Sequence, residues 1–289
     1  MYVRTAFRNF WWLFRRSLVL AYEDGCFGVA KGAAYSALFS FFPLLTATAA
    51  ILVEANAEAI SRILSRALFE VVPPGTESLV MYQFTVRGER STALLVTASV
   101  ISVWAATGLI TSLMEGFRAA YHIPCGRSFL RERTIAVLLV FAAAVPAVGA
   151  SALVLFGQRV ERTALFWLGV IPQGVELQGW VQLAWRLARF GIAFTAIVLV
   201  TSVLYYLGPN RRQSWRRVWP GALLATILWF IATLGFAWYV GNIADYNVLY
   251  GSIGAVIALL VWMYVLSAVA LIGCEFNAEL ERAFATQAP

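Results

Sequence analysis

Charged residues are distributed so unevenly along this chain that they restrict what it can fold into. Six stretches contain no Asp, Glu, Lys or Arg, and each has at least 21 residues: 32–53, 91–114, 134–158, 190–210, 218–244 and 246–274. A helix that crosses the hydrocarbon core of a bilayer needs about 20 apolar residues. No other charge-free stretch is longer than 13 residues. The pattern predicts a polytopic all-α membrane protein with six transmembrane helices, and it excludes a soluble enzyme.

Composition supports a single membrane domain. Only 13% of the residues are charged, whereas soluble domains carry about 25%. No Ser/Gly-rich linker divides the chain, and its front, with five basic residues before the first apolar stretch, does not resemble a cleaved targeting peptide. We expect an N-terminal segment over 1–30, a membrane domain over 31–282 and a tail over 283–289. The predicted spans are about 32–53, 91–114, 134–158, 190–210, 218–244 and 250–274.

The basic residues predict the orientation of the spans. The segments outside the spans alternate between two sides, and the side that holds both termini carries 14 of the 22 Lys and Arg residues. Basic residues near span ends are retained in the cytoplasm, so we expect both termini to be cytoplasmic. Contact with anionic phospholipid on the cytoplasmic face explains most of this charge, and nucleic-acid binding is not needed to explain it.

The N-terminal segment has the pattern of an interfacial helix. Arg4, Arg8 and Arg15 share one side of a helix, and the opposite sector is aromatic. That sector holds Phe7, Phe10, Trp11 and Phe14. The sequence does not decide whether this helix lies on the membrane or packs against the spans.

Two outer segments carry further helical or interfacial signals. Residues 57–71 place their apolar side chains on one face, which predicts an amphipathic outer helix. Residues 163–185 are apolar and Trp-rich but contain Pro172 and Gly174, so we expect them to lie at the outer interface without spanning.

Motifs for enzyme chemistry are largely missing from the sequence. His122 is the only histidine, the three cysteines are isolated, and no phosphate-binding loop or nucleophile motif occurs. We therefore expect no cofactor, no metal and no catalytic residue. Glu275, Glu279 and Glu281 cluster at the end of the last span. They are either divalent-metal ligands or a polar helix end that enters the cytoplasm, and we favour the helix end.

Polar and helix-bending residues near the spans are the candidates for a substrate path, since hydrocarbon penalises them. The candidates are Tyr35, Pro43, Glu115, Arg118, Asp245, Tyr250, Trp262, Tyr264, Glu275 and Asn277. We expect Pro43 to bend the first span. Glu115 and Arg118 lie one helical turn apart, so they either neutralise each other or leave Arg118 to bind a phosphate or carboxylate headgroup.

Two groups among these candidates carry more specific expectations. Asp245 is the only formal charge between Arg217 and Glu275, so it is either an outer-side gate or a residue that caps the last span. The Tyr264 hydroxyl needs a partner within hydrocarbon, so it is expected to face the bundle interior. With Tyr35 and Trp262 it is predicted to line any cavity.

Several blocks of the sequence resemble the YihY/BrkB family of bacterial inner-membrane proteins, once labelled ribonuclease BN. The blocks are AAYSALFSFFPL (33–44), LYYLGP (204–209), WPGA (219–222), YGSIGA (250–255) and EFNAE (275–279). The resemblance covers roughly residues 25–280. It departs at Arg118, where the family often has an Asn shortly before the tyrosine that matches Tyr121. The resemblance implies six spans with cytoplasmic termini and a virulence-factor label, but no catalytic residue to carry over.

Two hypotheses of different classes follow for the function. The first is a transporter or lipid flippase of the bacterial cytoplasmic membrane, because a compact six-span unit with proline-containing helices has few interior charges. The second is a non-catalytic scaffold for envelope assembly that recruits partners through its basic face. A ribonuclease is disfavoured by the residues present. The sequence does not identify a protein partner, and a homo-oligomer is possible.

Overall fold

The computed structural model describes residues 2–54, 92–124, 127–167, 179–242 and 252–285. These residues form seven α-helices and no strand. The helices are α1 (Tyr2–Glu23), α2 (Cys26–Glu54), α3 (Thr92–Ala120), α4 (Phe129–Trp167), α5 (Gly179–Leu207), α6 (Trp215–Asn242) and α7 (Ser252–Ala285). Six of them, α2 to α7, are long and apolar enough to cross a membrane. The predicted all-α polytopic fold is confirmed.

The helices extend beyond the charge-free stretches that predicted them. Helix α4 continues to Trp167 and α5 begins at Gly179, so both ends of the segment 163–185 belong to long helices. The physical reason is that a charge-free stretch marks only the part of a helix inside hydrocarbon, while the backbone hydrogen bonds continue into the polar interface. The segment 57–71 lies outside the described residues.

The six spans pack in chain order. Each of α2 to α6 contacts the next span, and α7 contacts α2 and α3 as well as α6. In the most apolar 18 residues of α7, 44% of the residues are buried, compared with 11–28% in the corresponding parts of the other five spans. Helix α7 therefore occupies the most enclosed position in the bundle.

Helix α1 packs against the spans with one face. The Phe10 ring lies 5.6 Å from the Phe276 ring, measured between centroids. Leu13 is buried in one cluster with Leu224 and Phe276, and Phe14 packs against the same cluster. Part of the aromatic sector that the sequence predicts therefore contacts protein, so the packed alternative holds for this face.

Two glycines let α6 and α7 approach closely. A Cβ atom on Gly273 would lie 2.5 Å from the Tyr205 hydroxyl oxygen and 2.6 Å from the Ala225 Cβ. A Cβ atom on Gly221 would meet the backbone carbonyl of Gly273 and would lie 2.5 Å from Asn277 Cγ. Small residues at a helix interface allow this kind of backbone approach within a membrane.

Candidate functional site

One end of the bundle gathers most of the polar side chains. It is formed by the α1–α2 turn, the C-terminal turns of α3, α5 and α7, and the N-terminal turns of α4 and α6, and we call it the basic end. Ion pairs and hydrogen bonds join these elements, including Arg16 to Glu279, Arg118 to Glu132 and Arg211 to Glu281. It is the end for which the arginine distribution predicts a cytoplasmic location.

At the basic end, α7 is buried on every face. The nine residues from Leu271 to Glu279 are all buried, although a helix at a protein surface usually buries one stripe. Helices α1, α2, α3 and α6 surround this segment, and Tyr205 of α5 donates a hydrogen bond to the Ala270 carbonyl. The polar side chains of this segment therefore lie inside the protein.

The expectation that these glutamates form a solvated helix end is wrong for Glu275 and Glu279. Glu275 is fully buried and Glu279 is 2% exposed. Arg16 Nε lies 2.7 Å from one carboxylate oxygen of Glu279, and Arg282 Nη1 lies 2.7 Å from the other. The sequence predicted exposure to solvent because this segment follows the last predicted span. In the structure, α1 packs against the segment and covers it.

Glu275 has weaker partners than Glu279. Its Oε1 lies 3.5 Å from Arg282 Nη1, and neither of its carboxylate oxygens has a hydrogen-bond partner among the described residues. The same is true of Asp24 Oδ2 in the α1–α2 turn. Within the described ranges no group of three or more His, Cys, Asp or Glu is placed to hold a metal ion. The metal-ligand alternative for these glutamates therefore gains no support.

Asn277 joins α7 to the start of α6. Its Oδ1 accepts a hydrogen bond from the Gly221 backbone N–H at 2.7 Å, and its Nδ2 donates to the Val218 carbonyl at 2.9 Å. Pro220 lies between these two residues and has no N–H. The Asn277 amide therefore bonds one backbone donor and one backbone acceptor of the helical turn that contains Pro220. Asn277 is engaged in the fold rather than pointing into a path.

Arginines at this end also complete the C-termini of helices. Arg127 donates to the carbonyls of Leu207 and Gly208, and Arg282 donates to the Ala120 carbonyl. The last carbonyls of a helix lack partners and attract cations. Part of the basic charge thus serves the protein itself rather than lipid.

A further set of contacts surrounds Glu281. Arg211 lies 2.6 Å and Arg217 2.9 Å from its carboxylate oxygens. The Arg211 guanidinium also lies 4.3 Å from the centre of the Tyr121 ring, a cation–π distance. Burial raises the pKa of the Tyr121 phenol well above its ordinary value, so this side chain stays neutral.

Five cations at or near the basic end remain exposed and make no ion pair with the residues the structure describes. They are Arg15, Lys31, Arg131, Arg212 and Arg216. These exposed cations can reach lipid or another partner without breaking an ion pair.

A cavity of about 220 Å³ lies between the end of α3 and the start of α4. Its lining is Thr111, Ser112, Glu115, Arg118, Phe129, Glu132 and Arg133. Arg118 pairs with Glu132 across the two helices, not with Glu115, which is exposed. The structure therefore places the predicted candidates Glu115 and Arg118 at one cavity, but Arg118 pairs with Glu132 and not with Glu115.

The other candidates are placed as follows. Tyr35 is 64% exposed and stacks on Phe39, so the prediction that it lines the interior is wrong. Position 35 follows the buried pair Ala33 and Ala34, and the rotation of α2 turns it outward. Pro43 lies within α2 and is half-buried.

The aromatic candidates of the last span lie deeper in the bundle. Trp262 is buried in a cluster with Ala34 and Leu259, and half-buried Tyr264 packs against this cluster and against the main core. Asp245 and Tyr250 lie outside the described residues.

Sequence reasoning did not identify Glu132 and Arg133 as cavity residues, nor Arg16 as the partner of Glu279. Glu132 and Arg133 stand in the first turn of α4, and the sequence signal for them was an acidic residue followed by a basic one before an apolar run. For Arg16 no local signal exists, because its partner lies more than 260 positions away in the chain.

Comparisons with known proteins agree with the fold. The family described as virulence factor BrkB matches residues 20–289, which confirms the resemblance noted in the sequence. The chain is 31% identical to the ribonuclease-like protein YfkH of Bacillus subtilis over 67% of this chain and 68% of that protein. It is 25% identical to a UPF0761 membrane protein of Chlorobium phaeobacteroides over 96% of this chain but only 57% of that protein. No solved structure matches.

Proposed function

This chain belongs to the virulence factor BrkB family, and we propose that it is a transporter or flippase for envelope lipids or amphipathic solutes. We place it in the bacterial cytoplasmic membrane with both termini in the cytoplasm. The observation that carries the proposal is the charged cavity between α3 and α4. A membrane protein that moves amphipathic molecules needs a polar site that a headgroup can reach from the bilayer.

The cavity has the chemistry of a headgroup site. Arg118 and Arg133 offer guanidinium donors suited to a phosphate, and Glu115 offers an exposed carboxylate suited to an amine. Thr111 and Ser112 add hydroxyl groups. A zwitterionic or anionic phospholipid head therefore finds partners of both signs in one place.

The surroundings of the cavity suit the acyl chains of the same molecule. Phe129 is 80% exposed and Leu130 is 76% exposed at the first turn of α4. On a membrane-spanning helix, exposed apolar side chains of this kind face lipid. A lipid with its head in the cavity can thus keep its tails in the bilayer.

The ion pair between Arg118 and Glu132 supplies a simple exchange step. A phosphate that enters the cavity competes with the Glu132 carboxylate for Arg118, and the amine of a zwitterionic headgroup can pair with the carboxylate that is released. The sequence contains no ATP-binding motif, so we propose transport that is passive or coupled to a gradient.

Transport of fluorescent lipids in proteoliposomes tests this function. Wild-type protein is expected to move short-chain fluorescent phospholipids between leaflets faster than empty vesicles do. The double variant Arg118→Gln/Glu132→Gln removes the charge pair without leaving a lone buried charge, and it is expected to be at least ten-fold slower. The matched control is Arg212→Gln, an exposed arginine away from the cavity. Wild-type vesicles that move lipid no faster than empty ones would overturn the proposal.

A membrane scaffold is the second candidate, and the packed basic end favours it. The nine buried residues of α7 leave the centre of this end filled by protein. A scaffold would use the exposed Arg212 and Arg216 to bind a partner. It predicts no lipid movement, together with crosslinks to one partner from photoreactive residues placed at 212 and 216.

We do not extend the ribonuclease-like name of the B. subtilis relative to this chain. Nuclease chemistry needs a positioned base or a metal cluster. Glu279 is already paired with two arginines, and Glu275 is enclosed without a path to a polymer-sized substrate. Purified protein that degrades RNA, with the activity lost in Glu275→Gln and Glu279→Gln, would contradict this position.

A further inference from the structure

Helix α1 exposes a face that is aromatic and basic. Trp11 is 53% exposed, Trp12 52%, Val19 56% and Tyr22 77%, and Arg15 is exposed beside them. At 100° per residue these five positions fall within an arc of about 100°. Trp11 therefore lies beside Arg15, and the expectation that it belongs to the sector opposite the arginines is wrong. The exposed side chains form one continuous face, which we call the outer face of α1.

The opposite side of α1 is fixed to the protein. Leu13, Ser17 and Ala21 are buried, and Arg16 is held by Glu279. Helix α1 is not among the helices that are apolar enough to span a membrane. Its exposed aromatic residues are therefore not explained by a passage through hydrocarbon.

The depth at which α1 packs indicates what covers its outer face. Leu13 shares a buried cluster with Leu224, which lies about 14 Å from the first residue of α6 at the helical rise per residue. Leu224 falls within the span of α6, and its neighbours Leu223 and Ile227 are exposed as lipid-facing residues are. Helix α1 thus lies against a span whose exposed apolar side chains we expect to face lipid.

The chemistry of the outer face matches a membrane interface. Trp and Tyr concentrate at the level of the headgroups, and basic residues there attract anionic lipid. The Arg16 guanidinium stacks over the Trp12 ring at 5.1 Å. Arg15 is a cation of this face and makes no ion pair with the described residues. Glu23 is the only acidic residue on α1.

We propose that the outer face of α1 is embedded in the bilayer interface and binds an anionic phospholipid. Arg15 contacts the phosphate, and Trp11, Trp12 and Tyr22 lie at the boundary between headgroups and acyl chains. The depth at which α1 packs along α6 and the basic charge of its outer face favour a bilayer over a protein partner. A protein partner would have to bind next to the exposed apolar side chains of α6, which are expected to face lipid. This inference goes beyond the proposed function, since a transporter and a scaffold alike would be anchored in this way.

Spin labels on the full chain in nanodiscs test the position of the face. Labels at Val19→Cys and Tyr22→Cys, in a Cys125→Ser background, are expected to be more accessible to oxygen than to a water-soluble nickel complex. The control label at Ser214→Cys, an exposed position between α5 and α6, is expected to show the opposite preference. Equal access of the nickel complex to all three labels would overturn the proposal, because the outer face of α1 would then lie in water.

Lipid retention tests the charge. The full chain, given equal amounts of phosphatidylglycerol and phosphatidylcholine in detergent, is expected to retain more of the anionic lipid in native mass spectrometry. Arg15→Gln is expected to weaken that preference about five-fold, the factor that corresponds to roughly 1 kcal/mol per basic residue near a surface. Arg212→Gln, the matched control, is expected to change it less. An unchanged preference in Arg15→Gln would refute the lipid site, whatever the outcome of the transport assay.

Discussion

Asn277 accepts a hydrogen bond from the backbone N–H of Gly221 at 2.7 Å, across the interface between the last two spans. The same side chain donates to Val218 on the other side of Pro220. The two sequence blocks WPGA and EFNAE, distant in the chain, are thus halves of one contact. A path lined by Asn277 would have to break this contact first.

Replacing Asn277 by Ala is expected to destabilise the protein. The substitution removes two buried hydrogen bonds between α7 and α6, each worth about 0.5–1.5 kcal/mol. Thermal unfolding in detergent measures the loss, and Thr134→Ala, which removes an exposed hydroxyl bonded within its own helix, is the control. A melting temperature equal to that of wild type would show that the contact does not hold α6 to α7.

Gly273→Ala is expected to separate α6 from α7. The added methyl group would lie 2.5 Å from the Tyr205 hydroxyl and 2.6 Å from Ala225 Cβ, so the helices must move apart, at a cost of about 1–3 kcal/mol. At Gly235 a new Cβ meets nothing within 4 Å, and Ala there is expected to stabilise the helix by about 0.5–1 kcal/mol. The two variants should shift the melting temperature in opposite directions. Equal shifts would contradict the close approach.

The two buried glutamates are expected to respond differently to neutralisation. Glu279→Gln removes the charge that pairs with both Arg16 and Arg282, and because the Arg16 side chain is half exposed the cost should be about 1–3 kcal/mol. Glu275→Gln keeps the shape of a buried side chain whose carboxyl oxygens have no hydrogen-bond partner among the described residues, so stability should be unchanged or higher. Chemical or thermal unfolding of the two variants side by side provides the comparison. A larger loss in Glu275→Gln than in Glu279→Gln would reverse this assignment.

Two tyrosines provide a test of which side chains face the interior. Tyr205→Phe removes the hydroxyl that bonds the Ala270 carbonyl, and it should cost about 1 kcal/mol. Tyr35→Phe removes a hydroxyl on an exposed side chain, so little change is expected. The melting temperatures of the two variants measure this difference in stability. A clear loss of stability in Tyr35→Phe would show that the Tyr35 hydroxyl makes a contact inside the bundle.

The order and number of the spans follow from the sequence because hydrocarbon excludes charge whatever the neighbours are. The six charge-free stretches identify α2 to α7 for this reason. Helix α1 was also predictable from the sequence, since the helical periodicity of its basic and aromatic residues does not depend on a partner. The first and last residues of the helices could not be predicted as well, because the helical backbone continues past the hydrocarbon into the interface.

The partners of the polar side chains were decided by tertiary structure alone. In a span both the lipid-facing and the protein-facing sides are apolar, so the pattern along the helix gives little indication of its rotation. Tyr35 therefore turned outward against expectation, and Arg118 paired with Glu132 on the next helix instead of with Glu115 on its own. Glu275 and Glu279 are buried because α1 packs over the end of α7, a contact between the two ends of the chain. The hydrophobic effect of the bilayer determines how many helices cross, and side-chain packing between distant segments determines which polar groups meet.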